Sequence, residues 1–169
     1  DARVNSSGVV YYWTAFKGAA GSLTFGTYDG NDSSQSISLG FSPGLVMVLP
    51  SNNRSPIARI AGMSSSTYLT NGGLAGNMIT ALEVDGFSVG SDSNINQSSV
   101  TYHYVAWGQS EGRMKVGSYV GTGSSHDITT IGFSSEELYI FHSLGSEAPS
   151  RRPAALLGDN VVFFDNRPN

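Results

Sequence analysis

The sequence predicts an all-β protein with two tandem, related β-sandwich or jelly-roll-like units, a pseudo-twofold duplication and few or no helices. Short runs rich in Val, Ile, Tyr, Phe, Trp and Thr alternate with Gly, Ser, Asn and Asp clusters at intervals of about ten residues, the spacing of sandwiches and barrels. No window of about 11 residues or more sustains the i, i+3, i+4, i+7 apolar pattern of a helix. In addition, a segment near the start of the chain recurs near its middle, which indicates an internal repeat.

The predicted strands follow one another closely along the chain. Val9–Phe16 carries apolar residues on both of its alternating faces, and so does Val100–Trp107, which predicts two strands that are each buried on both sides. Asp85–Gly86 lies between two β-prone runs and predicts a tight hairpin within 77–91. In order, we expect strands at 9–16, 23–29, 36–39, 45–50, 57–61, 66–69, 78–84, 87–91, 99–107, 113–120, 127–131, 137–143, 153–157 and 161–165.

The composition bounds the possible partners. The chain has 169 residues, of which 39% are hydrophobic, 11% aromatic and 13% charged, and its formal net charge is −4. Such a chain is long enough to bury a core and too aromatic to stay disordered. An acidic balance without Lys/Arg-rich runs gives no electrostatic basis for binding nucleic acid or anionic lipid. Because the longest apolar runs are far shorter than the ~20 residues that cross a bilayer, we expect no membrane insertion.

The chain contains no Cys, which removes disulfides, thiolate metal sites and thiol nucleophiles together. Its stability must therefore come from packing. The first residue is Asp1 rather than Met, and no signal-like segment precedes it. We accordingly expect the chain to be a processed product or a fragment.

The internal repeat has an offset of 91 residues, since Val4–Phe16 returns as Ile95–Trp107. Identical Gly and Tyr residues keep this register further along, and Val46–Leu49 matches 138–141 in character after one inserted residue. The identities in the same register are Gly26, Tyr28, Gly30, Ser33, Ser34 and Ile37 with Gly117, Tyr119, Gly121, Ser124, Ser125 and Ile128.

The repeat divides the chain into a first, incomplete β repeat at 1–70 and a second β repeat at 71–169, which begins with the hairpin at 77–91. The first copy starts where its own hairpin would have ended, and an apolar strand near the other end of the chain must also pair with something. These two features predict head-to-tail completion between chains. The expected assembly residues are Asp1, Ala2, Arg3, Val4, Val161, Val162, Phe163, Phe164 and Asp165.

Residues able to carry catalysis are few. None of His103, His126 and His142 accompanies a G-x-S-x-G turn, so no nucleophile triad is marked. Glu136 and Glu137 are adjacent and would point to opposite faces of a strand, unlike the facing carboxylates of a glycosidase. We therefore expect no catalytic residues, no cofactor and no enzymatic activity.

Asp29, Asn31 and Asp32 form the best candidate metal site, because clustered oxygen ligands on a tight loop suit calcium. The corresponding segment Val120–Gly123 carries no carboxylate. Asp, Asn and Gly are also the residues that tight turns require. The sequence therefore favours turn chemistry here and leaves a metal as the alternative.

Aromatic side chains offer a candidate ligand surface. Tyr28 and Tyr119 each lie just before a glycine turn, which makes them the candidates for exposed rings that stack on a sugar. The other matched aromatics lie within strand-like runs, where core packing is favoured. These are the matched pairs Trp13 with Tyr104 and Phe16 with Trp107.

Several of these motifs together resemble a repeated β domain of tailed-bacteriophage virion and tail-associated, tail fibre-like proteins. Such proteins carry the similar strings D-G-F-x-V-G, V-N-x-x-G-V-T-Y-x-Y-V-A-F, G-x-Y-x-G-N-G and G-F-x-P-D-x-V. The matching segments here are Asp85–Gly90, Ile95–Asn96, Ser99–Trp107, Val116–Tyr119 with Gly121, and Gly40–Val48. The copies depart from each other at 134–137, which replaces the turn Ser42–Gly44, and at Gly121–Gly123, which replaces Gly30–Asp32.

The resemblance implies a non-enzymatic structural or adhesive role in a virus particle, as part of a tail fibre, spike, head fibre or capsid decoration. It supplies no catalytic residues. The implied location is the virion or the extracellular space, and the implied partners are other copies of the chain, other virion proteins and a host-surface glycan. A carbohydrate-binding module that recognises a cell-surface glycan is the alternative function, and a polysaccharide-degrading enzyme ranks last.

Overall fold

The computed structural model describes residues 5–11, 13, 15–143, 148–154 and 162–163. It confirms the all-β prediction, since the described residues hold one short helix, α1 (Ser93–Asn96), and otherwise antiparallel strands. The strands are β1 (Leu23–Asp29), β2 (Gln35–Ser38), β3 (Pro43–Pro50), β4 (Ile57–Ile60), β5 (Ser66–Tyr68), β6 (Leu74–Ala75), β7 (Ile79–Leu82), β8 (Gly86–Val89), β9 (Thr101–Gly108), β10 (Glu137–Ile140), β11 (Ser150–Pro153) and β12 (Val162–Phe163).

The largest sheet has six strands in the order β1-β9-β3-β4-β5-β6. Strand β9 is the last of these six strands in the sequence, and it lies between β1 and β3. Leu23 of β1 and Leu45 of β3 are both opposite Trp107, and Tyr28 is opposite Tyr102. The strand between β1 and β3 is therefore far away in sequence from both of its neighbours.

Two three-stranded sheets complete the fold, in the orders β2-β8-β7 and β10-β11-β12. Strands β7 and β8 form the hairpin that the Asp85–Gly86 turn predicts. Gly86 lies close to β2, since an added Cβ there would lie 3.0 Å from the carbonyl carbon of Ile37.

The main core lies between the six-stranded sheet and the β2-β8-β7 sheet, which gives this part of the chain a sandwich-like structure. Phe87 and Val89 of the small sheet pack against Val46, Val48 and other side chains of the large one. The buried members of this core are Val46, Val48, Ile57, Ala75, Met78, Ile79, Phe87, Val89, Ile95, Tyr102 and Ala106.

Most of strand β3 is buried on both faces, which suits its continuous run of apolar residues, although Leu49 remains exposed. Leu45 alternates with Val46 and belongs to a second cluster with Ala58 and Leu69 on the opposite face of the large sheet. Met114 and Phe141 pack against this second cluster. Residues from the last third of the chain thus cover the outer face of the sheet.

The predicted strands from 23–29 through 99–107 each coincide with an observed strand, and β6 is an additional one. Three predicted strands are wrong, because the described residues of 9–16, 113–120 and 127–131 form no strand. The segments 9–16 and 113–120 do contain apolar, β-prone residues. Among the described residues, however, no neighbouring strand pairs with the backbone of either segment. The strand expected at 153–157 is found earlier, as β11.

The predicted boundary between residues 70 and 71 does not separate two structural units. Strands β5 and β6 pair across it, and β9 joins β1 and β3 although it belongs to the predicted second repeat. The six-stranded sheet therefore contains strands from both sides of this boundary. As sequence repeats, 1–70 and 71–169 stay a prediction.

Candidate functional site

A buried asparagine organises the loop between β1 and β2. The Asn96 side chain is fully buried, and its Oδ1 accepts hydrogen bonds from the backbone amide of Asn31 at 3.0 Å and from Nε2 of Gln35 at 2.7 Å. Its Nδ2 donates to the carbonyl oxygens of Gly90, at 2.8 Å, and Ser33. The amide thus satisfies four polar partners in a place where an unsatisfied group would be costly. Asn96 was not among the predicted site residues.

The candidate metal ligands serve this same loop. Asp29 Oδ1 accepts a hydrogen bond from the Thr101 hydroxyl at 2.7 Å, and Asp32 Oδ1 accepts one from the Ser98 backbone amide at 2.9 Å. The Asn31 side chain accepts from a backbone amide two residues further on, which is an Asx turn. Among the described residues, no three His, Asp or Glu side chains are grouped as metal ligands would be. Only Asn31 therefore makes a turn contact, whereas Asp29 and Asp32 join the loop to the chain around strand β9.

Tyr28 is not the exposed aromatic that the sequence analysis expected. Its ring stacks on Tyr102 at 5.1 Å between ring centroids, and its hydroxyl donates a hydrogen bond of 2.7 Å to the carbonyl oxygen of Ile95. Burial raises the pKa of Tyr28 well above its usual range. The side chain packs against the main core, and the ring face that stacks on Tyr102 is not available to a sugar.

Tyr119 does expose its ring, as expected, with 46% of its surface accessible. The ring stacks on His126 at 5.5 Å. Both residues lie in a stretch in which the described backbone forms no strand. A glycan-binding role for Tyr119 stays a prediction.

The expected assembly residues lie mostly outside the described part of the chain. This holds for Asp1–Val4 and for Val161, Phe164 and Asp165. Val162 and Phe163 are described as strand β12, which pairs with β11 of the same chain. The apolar strand near residue 162 thus has a partner within the chain.

Neighbouring exposed apolar side chains occur in two segments that were not named as assembly residues. The N-terminal apolar segment, Val9–Phe16, exposes 74% of Val10 and 82% of Trp13. The second place, Met114–Val120, which we term the acceptor segment, exposes 86% of Val120. Large apolar side chains that are exposed in adjacent positions mark interaction sites more often than single ones do.

Trp13 contradicts the expectation that the matched aromatics pack in a core. Its counterpart Tyr104 is half-buried and contacts Phe87 edge to face at 5.3 Å. Phe16 remains 43% exposed, although it packs edge to face on Trp107 at 5.6 Å. The same motif is therefore packed in one copy and open to solvent in the other.

In the part of the chain that the structure describes, no helix has both the length and the apolar character needed to span a bilayer. Comparisons with protein-family models, curated proteins and solved structures gave no significant match. The resemblance carried by the motifs therefore stays a prediction.

Proposed function

We propose that this protein is a non-enzymatic structural component of a phage particle, in a tail fibre, spike, head fibre or surface decoration, and that it works by assembling with further copies of itself or with other virion proteins. The motif resemblance supplies the biological setting. The observation that carries the proposal is the exposure of Trp13 and Val10 within one segment, together with that of Val120.

The energetic argument follows from the cost of leaving such groups in water. Full burial of one large apolar side chain stabilises by about 1.5–3 kcal/mol. Burial of Trp13, Val10 and Val120 against a neighbouring subunit would thus offset a sizeable part of the entropy lost on association. A low charge content adds little repulsion between copies, since only 13% of residues are charged.

Symmetric self-association is the usual form that such an interface takes. The proposal is tested by the native mass of the purified chain, measured by light scattering over a hundredfold range of concentration, with negative-stain electron microscopy of the same samples. We expect a discrete oligomer, a ring or a filament. A chain that stays monomeric throughout this range would contradict self-assembly.

Carbohydrate recognition is a second candidate, and the specific observation in its favour is the exposed ring of Tyr119. A glycan titration with the Tyr119→Ala variant tests it. Tyr119→Phe is the matched control, because it keeps the stacking ring. Binding that survives in Tyr119→Phe and is lost in Tyr119→Ala would favour this candidate, and equal behaviour of the two variants would count against it.

A further inference from the structure

Strand β9 shows where its repeated sequence belongs in a sheet. It pairs with β1 on one side and with β3 on the other, so that Tyr102 and Ala106 are fully buried. The offset of 91 residues makes Val9–Phe16 the counterpart of residues 100–107. A segment of this sequence is therefore suited to the centre of a sheet, with one strand on each side.

The neighbours that such a central strand requires have counterparts as well. The acceptor segment Met114–Val120 corresponds to β1, and β10 overlaps the counterpart of β3. Strands β10, β11 and β12 follow one another in their sheet as β3, β4 and β5 do in theirs. In the described part of the chain, β10 lies at the edge of its sheet on the side where β3 has β9.

The turn that precedes β1 and the turn that precedes the acceptor segment have the same local structure. Ala19 and Leu23 form an isolated β-bridge, and so do Ser110 and Met114, each 91 residues further on. Gly21 and Gly112 lie within these turns with φ values of 74° and 72°. The chain thus enters the acceptor segment by the same turn that leads into β1.

A glycine and an aromatic ring indicate most specifically which contact the two matched segments lack. Gly26 lies opposite Tyr104, and a Cβ added to Gly26 would lie 2.5 Å from Cζ of that ring. Its counterpart Gly117 has no atom within 4 Å of the same position. The counterpart of Tyr104 is Trp13, which is 82% exposed. Each half of an aromatic-over-glycine contact is present, and neither is used among the residues that the structure describes.

We propose that Val9–Phe16 of one chain inserts as a strand beside the acceptor segment of a second copy of the chain, between that segment and β10. We transfer the antiparallel register of β1 and β9 to the acceptor segment and Val9–Phe16. It places Phe16 opposite Met114 and Val10 opposite Val120, with Trp13 over Gly117. The inference rests on the proposed assembly role and names the partner and the contact. The occupant is a second copy because each chain carries both a β9-like and a β1-like segment, and the described residues of one chain leave Trp13 and Gly117 open at the same time. Mutual exchange closes a dimer, and one-way exchange builds a chain of subunits.

Engineered cysteines test this contact, since the natural chain has none. The register places Ala15 opposite Lys115, within the Cα separation that a disulfide spans. An Ala15→Cys variant is mixed with a Lys115→Cys variant and oxidised. We expect a cross-linked dimer that contains one chain of each kind. The control mixes Ala15→Cys with Val84→Cys, because Val84 is 89% exposed on the β7–β8 turn and lies outside the register.

The outcomes separate this inference from the proposed function. Cross-linking no better than the control, in a protein that light scattering shows to be oligomeric, would overturn the inference and leave the assembly role standing. A third variant carries Ala15→Cys and Lys115→Cys in the same chain. If a disulfide forms only in this variant, and the protein is monomeric, the two segments pair inside one chain, which would contradict both the inference and self-assembly. Cross-linked mixed dimers support both.

Gly117→Val supplies an independent test that leaves the cysteine-free sequence intact. A Cβ added at Gly117 meets no described atom within 4 Å in the single chain, whereas in the complex the new side chain would occupy the place of the Trp13 ring. We expect the dissociation constant to rise about tenfold or more, with an unchanged unfolding midpoint at low concentration. Gly76→Val is the matched control, because Gly76 also has open space around it. An equal effect of the two variants on association would overturn the inference.

Discussion

The two regions that share one sequence pattern have different structures. In the region from β1 to β9, the repeated motif is a central strand in which Tyr102 is buried, and the Tyr102 hydroxyl and the Asn96 side chain are hydrogen-bonded. In Val9–Phe16, the same pattern is exposed, and its described residues form no strand. Apolar residues on both faces therefore specify a place in a sheet, and the strand forms only where neighbours occupy both sides.

The largest difference is expected at a matched pair of tyrosines. Tyr102 is fully buried, and its hydroxyl accepts a hydrogen bond from the Gln97 backbone amide at 2.9 Å. Its counterpart Tyr11 is 40% exposed. Tyr102→Ala should lower the free energy of unfolding by about 3–5 kcal/mol, and Tyr11→Ala by less than about 1 kcal/mol. Urea denaturation at low protein concentration measures both, and similar losses would mean that the two copies are equally packed.

A matched pair of asparagines should show the next largest difference. Asn96→Ala leaves several buried polar groups around the β1–β2 loop without a partner, which should cost about 2–4 kcal/mol. Asn5, at the same place in the first copy, is exposed, so Asn5→Ala should change the free energy of unfolding by less than about 0.5 kcal/mol. The same denaturation experiment measures this pair. A stable Asn96→Ala protein would show that the loop does not depend on the buried amide.

Much of the fold could be predicted from the sequence, because many strands and turns carry their signal within their own residues. The bounds of β1 match the prediction, and the β7–β8 hairpin follows from its Asp85–Gly86 turn. The sequence could not show which copy pairs with which. The turn from Ala19 to Leu23 would equally allow β1 to pair with Val9–Phe16, and the structure pairs β1 with β9 instead. That long-range choice buries Tyr28 and leaves Trp13 exposed.

Of the candidate site residues, turn residues were the most predictable. Asn31 forms the Asx turn that its residue type favours, whereas Asp29 and Asp32 accept hydrogen bonds from the distant residues Thr101 and Ser98. The role of Asn96 was missed because its hydrogen-bonding partners come from distant parts of the chain. The one signal in the sequence was the spacing between an asparagine and the aromatic segment that follows it, which is the same for Asn5 and Asn96.

A smaller effect is expected at alkaline pH. Burial raises the pKa of Tyr28 above its ordinary value of 10.0, so the ionised form is disfavoured in the folded state alone. The stability from this neutral tyrosine is fully present below pH 10. It is lost as the pH rises further, by about 1.4 kcal/mol at pH 11, because the unfolded chain releases its proton first.

The Tyr28→Phe variant isolates this effect. It should lose about 1 kcal/mol at pH 7, since the hydrogen bond to the Ile95 carbonyl is absent, and it should then lose less than the natural chain between pH 8 and pH 11. Denaturation curves at the two pH values measure both changes. Parallel losses in the variant and the natural chain would place the alkaline sensitivity elsewhere, for example at Tyr104, whose pKa burial also raises.

Hydrogen exchange measured by mass spectrometry over a range of protein concentrations tests the central claim most directly. The β1 and β9 peptides should exchange slowly at every concentration. Peptides from Val9–Phe16 and Met114–Val120 should exchange rapidly in dilute solution and become protected together as the concentration rises, because each supplies the strand that the other lacks. Protection of both segments in the monomer, or rapid exchange of both at every concentration, would contradict strand insertion between copies.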